Sequence, residues 1–146
     1  PYWDSGARAS IHGLTRDAGR AEIARATLES IGFQTRDLFE AMASDGAASP
    51  TTLRVDGGLT RNDWAMQFLA DMLAIPVERP EITETTALGA AYLAGLQSDV
   101  YADASEVAEN WARDRLFEPN MTADERDSRY AGWRDAVRRT RTPTES

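Results

Sequence analysis

From residue 20 to about residue 43 the apolar positions recur three and four apart: Leu28, Ile31, Thr35, Leu38 and Met42. That spacing lines one face of a helix. Gly32 interrupts the pattern, which weakens the helix locally and leaves room for a close neighbour. Residues 45–50 are turn-rich. Thr52-Leu53-Arg54-Val55 then reads as a short buried strand, and Trp64, Phe68, Leu69, Met72 and Leu73 return to helical spacing. Thr60 and Asp63 resemble a capping box at the start of that helix. Residues 75–80, bounded by prolines, predict an extended piece near a sheet edge, where a missing N–H is tolerated. After Glu84-Thr85-Thr86, the run Ala87-Leu88-Gly89-Ala90-Ala91-Tyr92-Leu93-Ala94-Gly95-Leu96 predicts a helix of very small side chains. Such a helix either packs tightly or borders a ligand cleft with its N-terminus. An acidic amphipathic piece follows, with Val107 and Trp111 one turn apart. A last helix opens at a capping box, Thr122 and Glu125, and carries Tyr130, Trp133 and Val137 on its apolar face. Arg134, Arg138, Arg139 and Arg141 gather toward its end, where cations suit the helix dipole. Residues 1–19 read as irregular, with a short extended piece over 9–14. Residues 142–146 read as a flexible tail.

This order is an α/β alternation with too few strands for a complete sheet. The expectation is one domain, residues 1–141, that forms part of a larger α/β unit whose other strands lie upstream. The opening Pro1-Tyr2-Trp3-Asp4, with no Met, agrees with a fragment.

Composition changes the picture mainly by exclusion. The chain has 146 residues, 42% of them hydrophobic, as in a globular protein with a real core. Every apolar run is interrupted well short of a membrane span. The net charge of −8 argues against a nucleic-acid surface, which requires a basic patch. All 16 basic residues are Arg. A lysine-containing phosphate loop and a Lys Schiff base are therefore excluded within these residues. The missing Lys is read either as an Arg-rich coding bias or as adaptation to high salt. With no Cys, the chain has no disulfide, thiolate metal site or cysteine nucleophile, in keeping with a reducing cytoplasm. His12 is the only histidine and reads as a packing or surface residue rather than a general base.

The candidate chemistry lies in Leu53-Arg54-Val55-Asp56-Gly57-Gly58-Leu59-Thr60-Arg61-Asn62. Two glycines at a strand-to-helix junction remove Cβ atoms where the chain turns. A flat or anionic ligand can then approach the backbone and the free N–H groups of the helix start. Asn62 adds an amide that both donates and accepts. The same residues also fit a tight turn with close strand–helix packing and no ligand.

Several separated motifs, in order, resemble the C-terminal part of the FGGY family of carbohydrate kinases. One family signature is met by Ala9, Ile11, Gly13 and Leu14, followed by Glu22, Ile23, Ala26 and Glu29. Pro1-Tyr2-Trp3-Asp4, Glu29-Ser30-Ile31 with Gln34-Thr35-Arg36-Asp37, and Tyr130-Ala131-Gly132-Trp133 resemble the family's glycerol-phosphorylating branch rather than its sugar kinases. The resemblance implies an actin-like, ribonuclease-H-like ATPase fold in which two domains flank a cleft. It implies that ATP binds mainly to the C-terminal domain and the polyol mainly to the N-terminal one. By position, Gly58 and Asn62 fall where the family contacts the adenine nucleotide, while Gly57 and Asp56 shape the same turn. The implied reaction moves the γ-phosphoryl of ATP to glycerol, giving glycerol 3-phosphate, with Mg²⁺ neutralising charge. The implied partners are ATP or ADP and glycerol, without nucleic acid or membrane, in a cytoplasmic and homo-oligomeric full-length enzyme. The family's catalytic aspartate, its main glycerol contacts and its phosphate-binding turn all correspond to positions upstream of Pro1. No catalytic or metal-binding residue is therefore assigned here, and Asp4, Asp37 and Asp56 read as turn, helix-surface and turn residues. The alternatives are a related kinase for a pentulose, a hexonate or another polyol, and a non-catalytic module that binds nucleotide or a partner chain.

Overall fold

A computed structural model describes residues 2–142. Helix α1 (Arg20–Ser44) precedes strand β1 (Leu53–Arg54), a 3₁₀ turn (Gly58–Arg61) and helix α2 (Asp63–Leu73). Strand β2 (Val77–Pro80), helices α3 (Thr85–Gln97) and α4 (Ala104–Glu109), strand β3 (Arg113–Phe117) and helix α5 (Ala123–Thr140) complete the order. The strands form one sheet in the order β1-β2-β3, with β1 parallel and β3 antiparallel to β2.

Two differences from the sequence pattern concern this sheet. The proline-bounded strand β2 is central, not at an edge. It tolerates its prolines because Pro76 needs only its carbonyl, which accepts from Leu53 N–H at 2.9 Å. Pro80 sits where the β2–β3 register slips, so no regular ladder bond is lost there. Strand β3, in turn, is invisible in the hydrophobic pattern. Four of its five residues are exposed, and only Phe117 is buried. Its ladder is reinforced by charge: Arg113 donates to Glu78 at 2.9 Å, and Arg79 to Asp114 at 2.6 Å.

Helix α2 occupies the middle of the molecule. Ala65, Met66, Leu69 and Ala70 pack with Val77 and Phe117 of the sheet. Phe68 and Met72 face the other way, against Phe33 of α1 and Tyr130 of α5. The helix therefore buries two faces. Its side chains remove apolar surface from water on both sides, about 25 cal/mol for each Å².

Helix α1 has the expected extent but is rotated relative to its predicted face. Gly32, Phe33 and Asp37 are its buried positions, whereas Leu38 and Met42 are 49% and 47% exposed. Close approach sets this rotation. A Cβ on Gly32 would lie 2.8 Å from the Phe68 ring, so the glycine turns toward α2. The rotation also overturns the surface reading of Asp37. Its carboxylate is buried and accepts hydrogen bonds from Tyr130 Oη at 2.6 Å and Trp133 Nε1 at 2.7 Å. Burial, then the Asp37 and Glu40 carboxylates, push the Tyr130 phenol pKa upward, so it serves as a donor. The N-cap and apolar face of α5 are as read, with Thr122 Oγ1 accepting from Glu125 N–H and Tyr130, Trp133 and Val137 facing inward; the Glu125 carboxylate binds Arg129 instead of closing the predicted capping box. Residues 2–19 form no strand, and Asp4 makes the expected turn by accepting from Gly6 and Ala7 N–H. Asp4 also binds Thr142 N–H at 2.7 Å; the rest of the predicted tail lies outside the described residues.

Adding a methyl group at Gly32 should therefore force the Phe68 ring and the α1–α2 contact apart. Gly32→Ala is expected to destabilise by roughly 1–3 kcal/mol in urea unfolding. Gly132→Ala, on the open side of α5 with nothing near its Cβ position, is expected to stabilise by about 0.5–1 kcal/mol.

Candidate functional site

The sharp bend from β1 into α2 is made by Gly57. Its φ of 85° and ψ of 170° lie in a region essentially reserved for glycine. Gly57 N–H donates to Thr83 O at 2.8 Å, and Gly57 O accepts from both Thr60 N–H (3.1 Å) and Thr60 Oγ1 (2.7 Å). The buried Thr60 thus closes the 3₁₀ turn internally instead of capping α2, correcting the Thr60–Asp63 capping reading. The cap is Asn62, whose Oδ1 accepts from Ala65 N–H at 3.0 Å. This bond fixes the amide plane and leaves the Nδ2 donor group at an exposed position.

Gly58 plays a different part. It is exposed, its φ is not positive, and nothing lies within 4 Å of the point a Cβ would occupy. The backbone strain expected at the Gly pair belongs to Gly57 alone. Gly57 makes the bend, and Gly58 leaves the outer surface of the turn bare. Gly58 and Asn62 stand at the two ends of the 3₁₀ turn, on an open ledge over the N-terminus of α2.

The start of α3 completes the surroundings. Besides the Gly57–Thr83 bond, Thr85 Oγ1 donates to Asp56 Oδ2, tying the first residue of α3 to the turn. Beyond it, Ala87, Ala90, Ala91, Leu93 and Ala94 are exposed. Most small side chains of α3 thus stay exposed; the exception is Gly95, buried so closely against the Tyr101 ring that an added Cβ would lie 2.7 Å from it. The helix enters beside the ledge and leaves an open, uncharged flank.

Sequence reasoning missed Arg79. Its Nη1 donates to Thr60 O at 2.8 Å and to Asp63 Oδ1 at 2.7 Å, and its Nε donates to Asp114 Oδ2 at 2.6 Å. The hydrogen bond from Arg79, with Arg115 also near, lowers the Asp63 pKa; the Asp63 bond in turn raises that of Arg79. The only available signal was parity. Arg79 lies two residues from the buried Val77 and so shares the face of β2 that α2 covers.

Arg61 lies in the turn itself and is exposed, whereas His12 and the arginines of α5 make their contacts elsewhere. His12 Nε2 is 3.0 Å from Ser10 Oγ and 3.2 Å from Thr140 Oγ1 on an exposed surface, in line with its reading as a surface residue. Arg138 and Arg139 both pair with Asp135 in the last turns of α5. Among the described residues no group of three or more His, Asp or Glu side chains could hold a metal ion. The described acids thus form no Mg²⁺ cage, and no step is assigned to the metal here. Among those residues no helix is long and apolar enough to cross a membrane.

Residues 1–98 match the model of the FGGY family of carbohydrate kinases, C-terminal domain. The chain belongs to the FGGY family. Its relatives include a glycerol kinase of Ectopseudomonas mendocina, 60% identical over 97% of this chain, and one of Rhodospirillum rubrum, 58% identical over 95%. The chain spans 28% of the length of each. Among solved structures, glycerol kinase from Plasmodium falciparum with ADP covers 97% of the chain and 28% of its own, with a TM-score of 0.80 and 37% identity. A ligand-bound xylulose kinase from Lactobacillus acidophilus covers 93% of the chain and 28% of its own, with a TM-score of 0.71 and 28% identity. The fold is accordingly that of the actin-like, ribonuclease-H-like ATPases.

The different duties of the two glycines can be separated by stability. Gly57→Ala should cost about 1–3 kcal/mol, because the side chain opposes its backbone conformation. Gly58→Ala should change thermal unfolding by less than about 0.5 kcal/mol, since its Cβ enters open space.

Proposed function

We propose that this chain is the C-terminal, ATP-binding part of a glycerol kinase. The observation that carries the reading is 60% identity to a glycerol kinase along 97% of the chain, which includes the whole Gly57–Asn62 ledge. The 37% identity to a glycerol kinase structure, against 28% to a xylulose kinase, favours glycerol over a sugar substrate.

In this reading Gly58 lets the adenosine pass close to the backbone. Asn62, held by its own cap bond, offers Nδ2 to the nucleotide. Gly57 shapes the turn without touching ligand. The domain, residues 1–141, holds and orients the nucleotide. The base that takes the proton from the glycerol hydroxyl, and the glycerol contacts, belong to the partner domain of the full-length enzyme. There the γ-phosphoryl of ATP passes to a terminal hydroxyl. Mg²⁺ supplies charge neutralisation when bound with the nucleotide. A cysteine-free chain supports a reducing, cytoplasmic setting.

Residues 1–146 alone should not turn over ATP and glycerol. Turnover by the isolated chain with Mg²⁺ at an ordinary enzyme rate, roughly 1 to 10³ per second, would overturn the placement of the catalytic residues. In the full-length enzyme, Gly58→Val and Asn62→Ala should both raise the KM for ATP more than that for glycerol. Asn62→Ala loses about 1 kcal/mol of binding, a few-fold in affinity, and Gly58→Val loses more, because water cannot relieve a clash. Asn62→Ser keeps a capping oxygen, so any loss it shows reports the amide rather than the helix start. Collapse of glycerol binding with ATP binding intact would reject the ledge as the nucleotide site.

A further inference from the structure

We propose that Arg79 is a positioning residue for the nucleotide ledge, acting through the Thr60 carbonyl and Asp63 rather than by touching the nucleotide. The inference rests on the reading of Gly58 and Asn62 as nucleotide contacts and extends it to a residue buried behind them.

Strand periodicity places Arg79 on the same face of β2 as Val77, under the N-terminal end of α2. Its side chain is only 13% exposed, although it carries a permanent charge. Its donors are divided among a part-buried carbonyl and two half-exposed carboxylates. Nη1 reaches the carbonyl of Thr60, which lies midway between Gly58 and Asn62 in the chain. The same nitrogen reaches Asp63, the residue directly after Asn62. Nε is anchored to Asp114 on β3, and the guanidinium stands 5.5 Å from the centre of the Phe117 ring. Arg115 holds the second oxygen of Asp63 at 2.5 Å, so the carboxylate is fixed from two sides.

The consequence is geometric. A carbonyl at the end of a short 3₁₀ turn has no partner inside the turn, and without an external donor that peptide is free to tilt. Tilting it moves Gly58 and Asn62 relative to each other. A planar guanidinium with directed donors prevents this, and a single ammonium cannot occupy both the Nη1 and Nε positions. A simple strand-to-strand tie would need only the Asp114 pair. The bond to the Thr60 carbonyl reaches the ledge itself.

The test uses the full-length kinase with ATP, Mg²⁺ and glycerol. Arg79→Met keeps much of the apolar stem and removes the donors. It should raise the KM for ATP about tenfold, the worth of a charge-assisted hydrogen bond, while the glycerol KM stays within about twofold. Arg79→Lys keeps the charge and should fall between Met and wild type. Because Arg79 acts through the turn, Asn62→Ser should cost less in the Arg79→Met background than in wild type. A folded Arg79→Met enzyme with unchanged ATP KM overturns the proposal if Asn62→Ser alone raises it. A lowered melting temperature with both KM values moving together, or additive effects in the double variant, also overturns it, because that is the mark of a purely structural arginine. If Arg79→Met fails to fold, Arg79→Lys decides: an ATP KM equal to wild type rejects the role. If Gly58→Val and Asn62→Ser also leave ATP binding intact, the failure belongs to the ledge reading.

Discussion

The structure depends on the two-sided burial of α2. One face packs on the sheet through Ala65, Met66, Leu69 and Ala70, and the other meets Phe33 and Tyr130 through Phe68 and Met72. A helix held on two faces cannot rotate or slide without opening a core, because protein interiors are close-packed. Its N-terminus is therefore one of the best-fixed points of the chain. The exposed ledge begins there, so an open surface inherits the rigidity of the most buried element. Gly32 makes this possible from the other side by letting α1 come within reach of Phe68.

At the ledge, rigidity and accessibility are assigned to different residues. Gly57 accepts an unusual backbone conformation, held by Thr83 and Thr60. Gly58 has an ordinary backbone and an empty outer side. Asn62 uses its oxygen to cap α2 and so presents its nitrogen in a defined direction. Ligand recognition benefits when such groups are fixed before binding, since less freedom is lost on association. The charged cluster behind the turn contributes in the same sense. Exposed ion pairs add little to stability, but directed donors on a carbonyl and a carboxylate set orientation.

The small-residue flank of α3 continues the open surface of the ledge. Phosphoryl transfer needs positioning and charge neutralisation. The three acids singled out in the sequence are occupied in other ways. Asp4 shapes a turn, Asp37 receives two aromatic donors, and Asp56 is tied to Thr85. None of these three stands free to act as a base.

The sequence by itself determined the extents of α1, α3 and α5, the strand-to-helix junction at the Gly pair, and the family. The elements rest on local physics: helical spacing over many residues, an N-cap at Thr122, and glycines where the chain must bend; the family rests on the resemblance of several ordered motifs. Only the tertiary structure decided the rest. The face of α1 turns on which neighbour Gly32 meets, and periodicity alone treats Leu38 and Gly32 without regard to that neighbour. Strand β3 carries charges because its bonds are to β2, so no apolar alternation marks it. The cap of α2 passed from Thr60 to Asn62 because Thr60 is drawn inward to Gly57 O. Gly57 and Gly58 are identical in sequence and differ only in the dihedrals and space around them. Arg79 became visible as part of the site only when the fold brought it to Thr60, 19 residues away in the chain.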